Sequence, residues 1–404
     1  MLNWDDPLTT TAAEKQAEPV STGSSAPKAV QAPKRESAKN VINEQALSYE
    51  TKPDQPHDTG DEIDHAALGQ KPINPDDKRI INGMTDINQL APFKYPWAWE
   101  YFLNANRNHW TPLDINMAQD VHDYHHKLTL EERHVYENVL AYLTTSDILA
   151  MRNIGLAVME KMSAPELQIY QARQVYEEAL HTWTYQHCIE TIGIDQSEIY
   201  NRYRVVPEIN RKIQIANRRL DASLRHDIDL RNRDDLHEFL MSYIFFAGIF
   251  EGCWFYNGFS PVFALQRRGL MKGTAEQLQY IMRDEVLHAS FGMRVAKQII
   301  HEENIQPDPQ ALREMWDEAE AAETGYASYL LADPILGYSK EDHIDQFRFI
   351  AHRRARYLNL EEPFPAIKDA ALPWLDEQAN LRKEKNFFET RVTEYQTGGA
   401  LSWD

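Results

Sequence analysis

In Tyr176-Glu177-Glu178-Ala179-Leu180-His181, and again in Arg283-Asp284-Glu285-Val286-Leu287-His288, a glutamate stands three residues before a histidine on strongly helical sequence. Side chains at i and i+3 lie on one face of an α-helix, so each stretch presents a carboxylate and an imidazole side by side. That pair is half of a metal site. Two such halves, joined by one acid from each of two further helices, make the ligand set of a helical bundle that holds two metal ions in its core. A third instance, Glu131-x-x-His134, shares its turn with Glu132 and Arg133 at a helix start. Acids there serve as caps and dipole partners, so it is not read as a ligand pair.

The two further acids must lie on otherwise apolar helices. Asp147 does so in Leu143-Thr144-Thr145-Ser146-Asp147-Ile148-Leu149, and Glu251 is the one carboxylate in the apolar run 242–263. That run is long enough to suggest a membrane span. A lone charge at mid-bilayer is expensive, however, and Gly252, Asn257, Gly258 and Pro261 suit a core helix better, so no membrane span is expected. Glu251 in such surroundings needs a cation, a proton or a strong set of donors.

Outward from these motifs the sequence remains helical. Thr129 and Glu132 form a capping box ahead of a helix that runs through Val135, Leu140, Leu143 and Ile148. Further helical patterns cover about 165–192, 208–222, 233–266, 274–303, 309–331 and 340–357. No sustained apolar/polar alternation marks a strand, so the core is predicted to be all-α. Residues 1–80 differ: Trp4 and Tyr49 are their only aromatics, and prolines recur from Pro7 to Pro75. Such a stretch buries too little surface to offset chain entropy and is expected to be disordered. The predicted organisation is a disordered arm over 1–80, a helical di-metal domain over 81–380 and a flexible tail over 381–404.

The chain has 404 residues, 43% hydrophobic and 26% charged, enough for a large core. Its net charge of −20 argues against a nucleic-acid-coating protein. Cys188 and Cys253 are the only cysteines and form no C-x-x-C, which excludes a disulfide scaffold and a cysteine zinc site and fits a reducing cytosol. The start of the chain has neither a basic nor an apolar region of the secretory kind.

Helical spacing extends the site. Tyr185 lies four residues after His181, on the ligand face, while Phe255 and Phe259 lie four and eight residues after Glu251, and Ile281 four before Glu285. A tyrosine beside a redox metal pair, walled by Phe255, Phe259 and Ile281, would be shielded from water and stray reductants. A long-lived tyrosyl radical needs such surroundings.

Taken together, Asp147, Glu178, His181, Tyr185, Glu251, Asp284, Glu285 and His288 resemble the pattern of the small, radical-generating subunit of class I ribonucleotide reductase, over about residues 90–404. The resemblance implies a ferritin-like helical bundle and a homodimer. It implies one ion on Asp147, Glu178 and His181, another on Glu251, Glu285 and His288, with Glu178 and Glu285 bridging. Carboxylates with one imidazole per ion suit iron, in a di-iron-oxo centre activated by O₂, and manganese is accepted by the same donors. The resemblance further implies a stable radical on Tyr185 and its export through Trp110 and Asp284, the latter joined to His181.

The end of the chain fits the same family. Gly398 and Gly399 give flexibility, and Leu401, Trp403 and Asp404 form an apolar, acidic docking peptide. In the family the tail binds the large subunit, which reduces the ribonucleotides, and a tail tyrosine relays the radical; Tyr395 fits that role. No phosphate-cradling glycine loop is found, so the nucleotide would belong to the partner. Two rivals remain: another di-metal oxidase such as a hydroxylase or desaturase, which would share the six ligands, and a non-enzymatic iron-storage or structural bundle of the ferritin type.

Overall fold

The computed structural model describes residues 74–83, 88–365, 367 and 369–380. The expected arm up to residue 73 and the tail from 381, with Tyr395, Leu401, Trp403 and Asp404, lie outside the described residues. Among the described residues the chain is helical, with one isolated bridge between Ile335 and Tyr338 and no strand. In chain order the helices are α1 (Pro96–Ala105), α2 (Ala118–His126), α3 (Leu130–Arg152), α4 (Pro165–Ile192), α5 (Gln196–Val205), α6 (Pro207–Ser223) and α7 (Arg233–Ile244). There follow α8 (Tyr256–Gly258), α9 (Ser260–Arg267), α10 (Lys272–Glu302), α11 (Pro309–Leu330), α12 (Lys340–Tyr357) and α13 (Pro373–Asn380). Two stretches are wound as π-helix: Asn153–Val158, which extends α3, and Phe245–Phe255, which joins α7 to α8.

The centre of the molecule is made by α3, α4, the Phe245–Phe255 segment and α10, which pack on one another around a single apolar cluster. Local signals fix where each begins. Thr129 and Glu132 exchange side-chain and backbone hydrogen bonds in the expected capping box, which starts α3. Pro165 opens α4, and Gly193 ends it at φ 83°, a left-handed conformation that glycine adopts without strain. The start of α10 has no cap of its own. Asp120 of α2 supplies one, accepting from the Gly273 and Thr274 amides at 2.8 and 2.7 Å and from the Thr274 hydroxyl at 2.8 Å. A Cβ on Gly273 would stand 2.8 Å from the Asn116 carbonyl oxygen, so this close docking of α2 on α10 requires glycine.

The continuous helical stretch Arg233–Arg267 is long and apolar enough to cross a membrane, but its apolar window is 100% buried inside the fold, as a core helix would be. The packed chain begins earlier than the composition suggests. Pro75 sits in a short 3₁₀ turn, and Lys78, Ile80 and Ile81 are buried. The Lys78 ammonium donates to the Leu90 and Pro92 carbonyls, both at 2.8 Å, and faces Glu166 at 3.6 Å. The expected arm over 1–80 is therefore shortened at its end. A strap that buries three side chains without helical or strand period leaves nothing for a periodicity argument to detect.

One buried ionic cluster lies outside the central helices. The Lys212 ammonium meets Glu323 at 2.6 Å, and His343 meets the other oxygen of Glu323 at 2.6 Å. The Lys212 Nζ also lies over the rings of Tyr142, Tyr326 and Trp254, at 3.9, 4.6 and 4.8 Å. Burial pushes the Glu323 carboxyl up, but the charges of Lys212 and then His343 outweigh it and hold it at about 2. A depressed carboxyl stabilises the fold above its ordinary value of 4.5, and this contribution is lost as pH falls towards 2. Lys212→Met would leave Glu323 buried without its main partner and is expected to cost about 3–5 kcal/mol at neutral pH. Urea unfolding of both proteins measures this; an unchanged midpoint would refute it.

Candidate metal centre

Three of the central helices bring five of the six expected ligands into one buried cluster. Asp147 comes from α3, Glu178 and His181 from α4, and Glu285 and His288 from α10. Donor atoms of Asp147, Glu178 and His181 lie within 4.8 Å of one another, and so do those of Glu178, Glu285 and His288. Two of the carboxylates each lie close to both histidines. Glu178 places one oxygen 3.1 Å from His288 Nδ1 and the other 3.6 Å from His181 Nδ1. Glu285 mirrors it, at 3.2 Å from His181 Nδ1 and 3.6 Å from His288 Nδ1.

None of these approaches has hydrogen-bond geometry. Both oxygens of Asp147, Glu178 and Glu285, the Nδ1 atoms of His181 and His288 and the Tyr185 hydroxyl are buried without hydrogen-bond partners. A buried polar atom left unpaired costs about 1–3 kcal/mol, so this concentration of them marks a site shaped for something else. Hard carboxylate oxygens with one inward imidazole per group fit divalent iron or manganese. With Glu251 included, four carboxylates oppose two neutral imidazoles, a formal charge that two divalent cations balance.

Glu251 stands apart. It belongs to neither group, and the Gln174 amide donates to its two oxygens at 3.3 and 3.5 Å. It faces His288 across a cavity of about 20 Å³, room for roughly one water. Asn153 and Val158 from one π-helical segment, and Phe246, Ala247 and Glu251 from the other, line this cavity. The two irregular helices thus meet beside the same half of the site, where such bulges are commonly found.

The electrostatics follow from burial and crowding. Burial, then the neighbouring charge of Glu178, pushes the Asp147 and Glu251 carboxyls well above the usual range. Burial also acts on Glu285, but His181 and then His288 outweigh it and hold that carboxyl below its ordinary value. Burial alone would lower both imidazoles. Asp284 beside His181, and Glu177 beside His288, lead the groups that lift them well above the usual value instead.

The outer nitrogen of each histidine is held from the opposite helix. His181 Nε2 meets Asp284 of α10 at 3.2 Å, and His288 Nε2 meets Glu177 of α4 at 2.9 Å. Asp284 was anticipated from sequence and Glu177 was not. The signal was present: both motifs read acid-Glu-x-x-His, so Glu177 is to the first what Asp284 is to the second. Arg173 anchors Glu177 at 2.9 Å, one turn earlier on α4.

Trp110 donates from Nε1 to Asp284 at 3.4 Å, and Asn108 donates to the other oxygen. Trp110, Asp284 and His181 thus form a hydrogen-bonded line out of the cluster. Tyr185 is fully buried, and after burial itself the charge of Asp147 does most to raise its phenol. Phe255, Phe259 and Ile281 are fully buried in the same apolar cluster as Tyr185. The rejected pair is apart from all this, with His134 bonded to the Tyr329 carbonyl and Glu131 exposed.

Comparison with known proteins decides the family. The model of the family described as ribonucleotide reductase, small chain, matches residues 87–371. The chain belongs to the small (beta) subunits of class I ribonucleotide reductase. The beta subunit of the ribonucleoside-diphosphate reductase of Chlamydia pneumoniae is 36% identical over 339 residues, 82% of this chain and 97% of that one. The small subunit from Dictyostelium discoideum is 28% identical, over 80% of this chain and 90% of its own. Among solved structures, the R2 subunit from Clostridium botulinum superposes with a TM-score of 0.67 at 22% identity, covering 75% of this chain and 95% of that one. The dimanganese(II) NrdF of Streptococcus sanguinis gives 0.59 at 19% identity, covering 72% and 98%. The small-chain fold is thus the ferritin-like helical one expected. The enzyme is an oxidoreductase, which sets aside the storage bundle and the unrelated oxidases.

Proposed function

We propose that this small chain generates and stores a radical on Tyr185 at a two-metal centre and passes it to a large subunit that reduces ribonucleotides. The observation that carries the reading is the set of buried, unpaired donor atoms of Asp147, Glu178, His181, Glu285 and His288 directly beside Tyr185. Asp147, Glu178 and His181 would hold one ion, and Glu285, His288 and Glu251 the other, with Glu178 and Glu285 shared. Iron is the expected metal, and manganese suits the same donors. When bound and oxidised by O₂, the pair supplies a one-electron oxidant.

The rest falls to the chain's own residues. Tyr185 would give its electron to that oxidant and the proton of its hydroxyl to Asp147, the carboxylate whose charge acts on it most. Phe255, Phe259 and Ile281 keep water away from the radical. His181, Asp284 and Trp110 carry the oxidising equivalent outward along their hydrogen bonds, and Tyr395 relays it to the partner. The test is electron paramagnetic resonance after anaerobic addition of ferrous iron and then O₂. A tyrosyl signal is expected, and uptake of metal without one would point to a different use of the centre.

Two partner surfaces belong to the reading. Leu401, Trp403 and Asp404 dock the tail on the large subunit. Deleting residues 396–404 is expected to leave the radical intact while weakening that complex by at least about tenfold; equal affinity in a binding titration would discard the tail as the dock. The second surface is for another copy of the chain. The π-helical extension of α3 lies against α4, Gly155 facing Val175. Ile148, Leu156, Tyr176 and Trp183 stand 41%, 51%, 54% and 42% exposed on these elements. Apolar side chains so displayed suit a homodimer face. Trp183→Glu is expected to shift the protein towards monomer in analytical ultracentrifugation, and an unaltered dimer would move the interface elsewhere.

A further inference from the structure

Arg354 on α12 lies on a different element from every residue of the metal centre, yet it touches the backbone directly after Glu251. Its Nε donates to the Gly252 carbonyl at 3.1 Å, and its side chain is buried. We propose that Arg354 is a positioning residue for the second ion, clamping the widened helical turn that carries Glu251.

Three observations support this. First, Glu251 and Gly252 lie within the π-helical segment Phe245–Phe255. In an α-helix the Gly252 carbonyl would accept from the amide of Tyr256. Here the Tyr256 amide donates to Cys253 instead, and Arg354 supplies a donor to Gly252 from outside the helix. Second, the widened turn admits only glycine at 252. A Cβ there would stand 2.7 Å from the Ala247 carbonyl oxygen and 3.0 Å from Arg354 Nε. The empty side-chain position and the guanidinium therefore occupy one tight junction. Third, the turn so fixed is the one that aims Glu251 at the cavity it shares with His288.

The consequence is angular. One residue of register in a helix turns a side chain by about 100°. If the turn relaxed to ordinary α-helical spacing, Glu251 would swing away from His288 and Glu285. Asp147, Glu178 and His181 sit on α3 and α4 and would not move with it. Losing the clamp should therefore weaken one ion and spare the other. This rests on the two-metal reading above.

The experiment titrates Mn(II) into metal-free full-length wild type, Arg354→Met, Arg354→Lys and Gly252→Ala, reading free Mn(II) by its six-line resonance. Circular dichroism and thermal unfolding follow the fold. Wild type should bind two ions. Arg354→Met and Gly252→Ala should bind one ion as wild type does and the other at least about tenfold more weakly, the range expected for an outer partner. Arg354→Lys, which keeps one donor, should fall between. Two ions at wild-type affinity in folded Arg354→Met or Gly252→Ala overturn the clamp. Should both of those fail to fold, unchanged affinity in Arg354→Lys overturns it equally. Equal weakening of both ions would show a general structural role and also overturn it. A wild type that binds fewer than two ions defeats the two-metal reading itself, and the clamp with it.

Discussion

Tyr185→Phe is expected to retain two metal ions, lose the tyrosyl signal and lower reductase activity with the large subunit by at least about 100-fold. The change removes one oxygen from a ring that is otherwise wholly buried. That hydroxyl has no hydrogen-bond partner of normal geometry, so little stability is lost with it. The ring continues to fill its place against the apolar wall, and the metal-facing donors are untouched. What disappears is the phenolic proton. Burial, then Asp147, raises the Tyr185 phenol well above its ordinary value, so it is protonated at any working pH and its oxidation releases a proton. Phenylalanine has no such proton to lose. Electron paramagnetic resonance and metal analysis on both proteins check this, and a tyrosyl signal surviving in the variant would place the radical on another residue.

Glu178→Ala is expected to weaken both ions by more than about 100-fold, beyond the range typical of outer partners. Its two oxygens reach the two inward histidine nitrogens separately. Removing it takes a ligand from each ion and leaves His181 and His288 facing a gap. Glu251→Ala provides the contrast, because that carboxylate lies in neither three-residue group and should affect one ion only. Metal content after gel filtration, by atomic emission, separates the two. If Glu178→Ala kept one ion at full occupancy, the carboxylate would not be shared.

Most of the central architecture could be read from the sequence because its signals are local. The capping box at Thr129 and the 3.6-residue period over 165–192 and 340–357 each depend on neighbours in the chain. The twin Glu-x-x-His motifs brought α4 and α10 together for the same reason: two half-sites are incomplete until they meet. Short helices such as α1, α2 and α5 escaped notice, since ten residues or fewer give little period to count. The strap at Lys78, Ile80 and Ile81 escaped because it has none.

The surroundings of Glu251 were the least legible part. A period of 3.6 was applied to a segment that is π-wound, and π-helix carries no sequence signature comparable to a cap or a proline. Glu251 was read as a ligand because it is the one carboxylate of an apolar run, and nothing in that run announces the π-wound turn or the Gln174 amide beside it. Glu177 was missed for a simpler reason. An acid beside a ligand on a helix reads as surface charge unless the two motifs are aligned with each other.

The crossed support of the two histidines has a consequence for the order of events in folding. His181 depends on Asp284, 103 residues later, and His288 on Glu177, 111 residues earlier. Neither helix can orient its own imidazole, so a growing or partly collapsed chain offers an ion only a loose, wrongly turned pair of donors. Closing such distant segments is among the slowest steps of folding. On the two-metal reading, ions would therefore enter a finished scaffold rather than build one.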